Sequence, residues 1–79
     1  MENLSLAYNP FYNEIQIKGD PGIITDLELF DLRGRKIITF ASHGKQRFQL
    51  DNGIPNGVFV MKINCVDGRS LTQKISIVR

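Results

Sequence analysis

Apolar and polar residues alternate along most of this chain, which is typical of β-strands with one buried side and one solvent-facing side. Ile15 and Ile17, for example, alternate with Glu14, Gln16 and Lys18. The longest apolar stretch starts at Val58 and continues along one face to Cys65, which predicts a central strand. The predicted strands cover residues 4–8, 14–18, 26–30, 37–40, 47–50, 58–65 and 71–77.

Turn-forming residues separate these segments at regular intervals. Asn-Pro, Pro-Gly, Arg-Gly, His-Gly, Asn-Gly and Asp-Gly pairs divide the chain, and few of the intervals exceed about ten residues. No window has the apolar spacing of a helix over the length that a helix requires. The sequence therefore predicts an all-β fold, an immunoglobulin-like (Ig-like) antiparallel β-sandwich of about seven short strands, with no helix longer than one turn.

The apolar register predicts the core residues, and the glycines predict the conformation of two turns. Gly34, which ends Asp31-Leu32-Arg33-Gly34, is expected to have left-handed backbone angles. Asp67-Gly68 lies between two apolar runs and predicts a hairpin with a type I′ turn. The predicted core residues are Ile15, Ile17, Leu29, Ile37, Phe48, Phe59, Met61, Ile63, Ile75 and Ile77.

The composition argues against several classes of protein. The 79 residues carry a net charge of +2, with one cysteine, Cys65, and one histidine, His43. An internal disulfide or a zinc site of the usual composition is therefore not expected, and no cofactor or small-molecule substrate is predicted. No apolar run approaches the roughly 20 residues of a membrane helix, and we expect no signal peptide at the start of these residues.

The residues that could perform catalysis have simpler explanations. His43 lies in a polar turn, and Cys65 falls in the inward register of the central strand, where a free cysteine is a small apolar residue. The aspartates lie at turns or strand ends, where aspartate side chains accept hydrogen bonds from backbone amides. We therefore expect no enzyme.

Nucleic-acid binding is the less favoured alternative. A five-stranded oligonucleotide-binding barrel is also small and all-β, but it needs exposed aromatic side chains among basic residues. Phe40, Phe48 and Phe59 fall in core register instead. A basic cluster is present, and either it is a solvated hairpin that protects a sheet edge or it docks an anionic partner. Its members are Arg33, Arg35, Lys36, Lys45 and Arg47.

Four motifs, in this order, resemble those of one family. Tyr8-Asn9-Pro10-Phe11 precedes the alternating residues 14–17, and Asp31-Leu32-Arg33-Gly34-Arg35 stands between two apolar strands. Gly57-Val58-Phe59 precedes alternating apolar residues and Lys62, and the chain ends in residues 74–79 with sequence KISIVR. This series is similar to the type A C-terminal sorting domain of proteins exported by the type IX (Por) secretion system. The family has proline where Tyr8 stands and tyrosine where Phe59 stands.

The resemblance implies a non-catalytic sorting signal. Such a domain directs its cargo from the periplasm across the outer membrane, where a sortase-like peptidase often removes it and the cargo is attached to the cell surface. The expected partners are the outer-membrane translocon and shuttle proteins and that peptidase. On this basis residues 1–79 form one sorting domain cut from a larger secreted protein, with residues 1–7 a linker or a lead-in to the first strand. The candidate recognition residues are Asp31, Gly34, Arg35, Gly57, Lys74 and Arg79.

Each candidate also has a possible structural role. Asp31 is suited to cap the turn that contains Gly34, and both Gly34 and Gly57 suit unusual backbone angles. Lys74 and Arg79 are expected on the outward face or at the end of the last strand. If that strand lies at a sheet edge, a partner strand or a second copy could pair with it. The alternative function is an Ig-like accessory or adhesive spacer without a sorting role.

Overall fold

Seven strands and one short turn of 3₁₀-helix make up the computed structural model, which describes residues 4–79. The 3₁₀ turn covers Pro21–Ile23 and is the only helical element in that range. All seven predicted strands are confirmed. Residues 5–7 of the expected lead-in belong to the first strand, and residues 1–3 lie outside the described part. The strands are β1 (Ser5–Asn9), β2 (Glu14–Lys18), β3 (Ile24–Phe30), β4 (Lys36–Ala41), β5 (Arg47–Gln49), β6 (Gly57–Cys65) and β7 (Ser70–Ile77).

The strands form two antiparallel sheets that face each other. One sheet has the order β1-β2-β5, and the other has the order β4-β3-β6-β7. The chain passes between the sheets after β2, β4 and β5, which gives an Ig-like sandwich whose fourth strand pairs with the third. β6, predicted as a central strand, lies between β3 and β7 and alternates buried with half-buried residues along most of its length.

The core lies between the sheets and contains every predicted core residue except Ile37. Ile15, Leu29, Met61 and Ile77 are completely buried, and Cys65 is also buried, as its register predicts. Phe48 and Phe59 are buried in the core, while Phe40 packs against it from β4. The core residues that were not predicted are Leu6, Ile24, Leu27, Leu50 and Ile54.

The prediction for Ile37 is wrong. Its side chain is 40% exposed, whereas Ile38 and Phe40 pack against the core. The register of β4 against β3 shifts between Leu29 and Phe30, so Lys36 pairs with Phe30 while Ile38 pairs with Leu29. Two adjacent isoleucines satisfy either register equally well, and the irregular pairing at the start of β4 decides between them.

The two sides of the sandwich are closed differently. On one side, the side-chain amide of Gln73 in β7 accepts a hydrogen bond from the Leu6 N–H at 2.9 Å and donates one to the Leu6 C=O at 2.7 Å. On the other side, the rings of Phe40 and Phe48 pack with their centroids 5.6 Å apart. A polar clamp therefore holds β1 to β7, and an aromatic contact joins β4 to β5.

The type I′ prediction for Asp67-Gly68 is wrong, although the hairpin is present. A type I′ turn needs positive φ at both central residues, but only Gly68 has one, at +89°. The Gly68 N–H donates to the Cys65 C=O and the Cys65 N–H donates to the Arg69 C=O, as in a three-residue loop with a glycine bulge. Positive φ at two adjacent residues occurs instead at His43 and Gly44, between β4 and β5.

The turns of the sandwich lie at its two opposite ends. β3 runs from Ile24, which pairs with Cys65, to Phe30, which pairs with Val60. The β3–β4 turn and the β6–β7 turn therefore lie at opposite ends. No helix within residues 4–79 is long and apolar enough to cross a membrane.

Candidate functional site

The turn between β3 and β4, residues 31–35, is named here the Asp31 turn. The Gly34 N–H donates to the Asp31 C=O at 3.0 Å, and the Asp31 N–H donates to the Arg35 C=O at 2.9 Å. Gly34 has a φ of +89°, so its predicted left-handed conformation is confirmed. The Asp31 Oδ1 accepts hydrogen bonds from the backbone N–H groups of Arg33 and Arg35, both at 2.9 Å. The predicted capping role of Asp31 is therefore confirmed.

The same aspartate also holds the side chain of Arg35. The Arg35 Nε donates to the Asp31 Oδ2 at 2.9 Å, while the Arg35 side chain is 76% exposed. The hydrogen bond from the Arg35 backbone N–H, together with the side-chain bond, lowers the pKa of Asp31 below its ordinary 3.8. At neutral pH the turn thus presents an oriented guanidinium to solvent, because the paired carboxylate is ionised.

The predicted basic cluster does not form a single patch. Lys36 pairs with Glu28 on the outer face of the sheet, with 2.7 Å between Nζ and Oε2. Arg47 lies 3.9 Å from Glu14, measured from Nε to Oε1, on the other sheet. Lys45 follows β4 and so lies at the far end of the sandwich from the Asp31 turn. Of the five basic residues, only Arg33, Arg35 and Lys36 come together, at or beside that turn.

A groove runs beside the Asp31 turn. It has a volume of about 450 Å³ and lies between this turn and the loop before β6. The aromatic side chain of Phe59, which is buried in the core, reaches its wall. The groove thus combines charged groups on one side with apolar groups on the other. Its lining residues are Asp31, Arg35, Lys36, Ile37, Gly53, Ile54, Pro55 and Phe59.

Gly57 begins β6 next to this groove. It has a φ of +156°, which side chains rarely adopt, and a Cβ atom there would lie 3.5 Å from the Phe59 Cε2. That distance is an ordinary van der Waals contact, so the backbone conformation, and not the space beside Phe59, is what favours glycine at this position.

Arg79 joins several loops at the same end of the sandwich. Its Nε donates to the Asn13 Oδ1 at 2.9 Å, and its backbone N–H donates to the Asn56 Oδ1 at 3.2 Å. Its terminal nitrogens donate to the carbonyl oxygens of Asp51 and Asn52 at 3.3 and 3.4 Å. Arg79 is exposed and lies just beyond the end of β7, as the sequence predicts, while its guanidinium contacts carbonyl acceptors in the loop before β6.

Asn13 is a key residue of this end that the sequence did not indicate. Its backbone has a φ of +52°, and its side chain is buried. The Asn13 Oδ1 accepts from the Tyr8 hydroxyl at 2.8 Å as well as from Arg79, while its Nδ2 donates to Leu50 and Asn52. Asparagine is one of the few residues besides glycine that adopt positive φ, but the hydrogen-bond partners of Asn13 are too distant in sequence to be inferred.

Five of the six candidate residues therefore meet at one end, here named the Arg79 end: Asp31, Gly34, Arg35, Gly57 and Arg79. Lys74 lies apart from them. It is exposed on the outer face of β7, opposite Val60, three residues before Ile77. β7 is an edge strand. A partner strand or a second copy could therefore pair with it, as the sequence analysis requires.

The residues considered for catalysis lie elsewhere. His43 occupies an exposed turn with a φ of +49°, and Cys65 is buried near the end opposite Arg79. Within residues 4–79 no three histidine, cysteine, aspartate or glutamate side chains are grouped closely enough to hold a metal ion. No protein-family model and no curated protein matches the chain.

Proposed function

We propose that this chain is a non-catalytic sorting domain of the type IX secretion system. It directs an attached cargo protein from the periplasm across the outer membrane to the cell surface, where a sortase-like peptidase often removes such a domain. Its partners are the translocon and shuttle proteins of the outer membrane. These proteins read the folded domain rather than a linear peptide.

One observation carries this proposal. Residues from motifs that are far apart in sequence converge on the Arg79 end, where the Asp31 turn, the groove and the loop held by Arg79 are adjacent. A receptor that recognises many cargo proteins needs a surface that depends on the fold, and this end supplies one. Asp31 holds Arg35 while the Arg35 side chain stays 76% exposed, and arginines are enriched among the residues that dominate binding at the centres of interfaces.

The β6–β7 turn provides a matched control. Residues 65–69, here the Asp67 turn, have the same two backbone hydrogen bonds and the same glycine φ of +89° as the Asp31 turn. Arg69 donates its Nε to the Asp67 Oδ2 at 2.6 Å, as Arg35 does to Asp31. The two arginines thus have similar local surroundings but lie at opposite ends of the sandwich.

The test fuses the chain behind a periplasmic reporter in a Gram-negative host that has the type IX apparatus. We expect the unmodified fusion to reach the cell surface, as measured by protease accessibility on intact cells. Arg35→Ala should retain the reporter in the periplasm, while Arg69→Ala should export it normally. Both variants should fold, because exposed ion pairs contribute little to stability, and thermal melts would check this.

Two results would contradict the proposal. If the unmodified fusion stays in the periplasm of a competent host, the sorting role is wrong and the accessory-module alternative replaces it. If Arg35→Ala and Arg69→Ala are exported equally well, the Arg79 end is not the recognised surface.

A further inference from the structure

Four strands lie at the edges of the two sheets, and β7 differs from the other three. The edge of β1 is occupied by the Gln73 amide, β5 has only three residues, and β4 pairs irregularly with β3. β7 is eight residues long and pairs with β6 without a register shift. It contains no proline, and no charged side chain points inward from it. Such features normally protect an edge, and of them β7 has only the exposed Lys74, so it is the longest edge open to another strand.

The hydrogen-bond pattern of the hairpin shows which backbone groups of β7 are free. The Cys65 N–H donates to the Arg69 C=O at 2.9 Å, so Cys65 and Arg69 form a hydrogen-bonded pair. Antiparallel ladders alternate, and the register continues to the pair of Gly57 and Ile77. The N–H and C=O groups of alternate residues therefore point away from β6, and no described residue bonds them. These residues are Ser70, Thr72, Lys74 and Ser76.

The side chains beside this edge specify the chemistry of a partner. Lys74 is exposed on the outer face and forms no ion pair with a described residue. Neither β6 nor β7 contains a carboxylate, and Lys62 on β6 lies opposite Glu28 of β3. On the inward-facing side Leu71 is 42% exposed at the edge. One side of the edge is thus basic, while the other offers apolar surface.

We propose that the free edge of β7 binds an extended segment of a partner protein that alternates apolar side chains with carboxylates. The segment adds a fifth strand to the β4-β3-β6-β7 sheet, with its apolar side chains covering Leu71 and a carboxylate opposite Lys74. A second copy fits less well, because two β7 strands would bring both Lys74 side chains to one face without a carboxylate on either strand. This edge runs along β7 to Ser76, beside the Arg79 end, but binding to it does not require the sorting role.

A designed peptide tests the proposal on the protein alone. The probe is an acetylated and amidated peptide of about eight residues, the length of β7, alternating valine with glutamate or threonine. The matched control replaces each glutamate with lysine. Amide hydrogen exchange, followed by NMR, should show new protection at Thr72, Lys74 and Ser76 on addition of the glutamate peptide. Gln73 and Ile75 already bond β6 and should change little.

Two variants separate the backbone contribution from the charge contribution. Thr72→Pro removes an N–H that points away from β6, so the hairpin ladder is kept while affinity should fall about tenfold. Lys74→Glu should reverse the preference between the two peptides, which in the unmodified protein should favour glutamate about 2- to 5-fold. Because Lys74 is exposed, this reversal should leave the melting temperature nearly unchanged.

Several results would overturn the proposal. Equal affinity for the glutamate and lysine peptides would contradict the proposal that the partner segment carries carboxylates. An absence of binding at roughly millimolar peptide, or protection only in β1 or in the Asp31 turn, would show that the β7 edge does not accept a strand. Protection of the same β7 amides that rises with protein concentration, with dimers in sedimentation, would make a second copy the occupant instead.

Discussion

The Asp31 turn and the Asp67 turn have the same backbone but different surroundings. In both, a glycine with a φ of +89° precedes an arginine whose Nε donates to an aspartate within the turn. In the Asp31 turn the aspartate is the first residue and accepts two backbone N–H groups, whereas Asp67 is the third residue and accepts one from Arg69. The local sequence therefore determines each turn independently of where it lies.

What distinguishes the two turns is the structure next to them. The Asp31 turn borders a groove whose other wall is the loop of residues 50–56, and Arg79 and Asn13 hold that loop. The Asp67 turn is joined to the rest of the fold mainly by the hydrogen bond from the Val66 N–H to the Ile23 C=O, at 2.8 Å. Hydrogen bonds between neighbouring residues form each turn. Only the Asp31 turn also belongs to a larger surface, because Arg79 and Asn13 hold the loop that faces it.

The largest expected effect comes from removing the core residue beside the Asp31 turn. Phe59 is buried and reaches the wall of the groove, and Phe59→Ala should lower the free energy of unfolding by about 3–5 kcal/mol. A small domain has a total of about 5 kcal/mol, so the variant should be largely unfolded at 37 °C. Circular dichroism melts measure this, with Phe59→Leu as a control that should stay folded. An unchanged melt would mean that Phe59 does not support the turn.

A smaller and equal effect is expected from Gly34→Ala and Gly68→Ala. At both positions a Cβ would meet no atom within 4 Å, so only the left-handed backbone opposes it. That conformation costs about 1–2 kcal/mol for an alanine, which both melts should show. Surface display of the fused reporter should fall more for Gly34→Ala, because only that turn lies at the Arg79 end. Unequal stability losses would contradict the equivalence of the two turns.

The smallest effect concerns pH. Hydrogen bonds from the backbone N–H of Arg35 and of Arg69 lower the pKa values of Asp31 and Asp67, respectively, below 3.8. Because the folded pKa lies below the unfolded value, the contribution of each carboxylate to stability is present above about pH 4. It is lost as the pH falls through the folded pKa. NMR titration of the two carboxyl carbons should place both midpoints below 3.8, and a midpoint at or above that value would show that its turn lacks the bonds.

Sequence reasoning succeeded where the determining contacts are local. Strand alternation and turn glycines report on neighbouring residues, so the seven strands and the left-handed Gly34 could be predicted. Ile37 was assigned to the wrong side because its neighbour Ile38 satisfies the same pattern, and an irregular pairing with another strand decides the register. The type I′ prediction failed because Asp-Gly is also compatible with a loop in which only the glycine has positive φ.

The Arg79 end was only partly predictable for the same reason. Asp31 bonds residues two and four positions away, and its capping role follows from spacing alone. Arg79 bonds Asn13, 66 residues away, and loops that precede β6. The sequence predicted the position of Arg79 at the end of the last strand, but a pattern along the chain carries no information on which distant carbonyl groups its guanidinium will contact.

The clamp between Gln73 and Leu6 affects how the chain acquires its structure over time. The two residues are separated by 67 positions, and β1 has no other partner on that side among the described residues. During synthesis the Gln73 amide that completes the edge of β1 emerges 67 residues after Leu6. Contacts of such long sequence separation slow folding, because closing the long intervening loop costs conformational entropy. A chain that ends before Gln73 would lack this partner for the outer edge of β1, so we expect the edge of β1 to be completed only once β7 is in place.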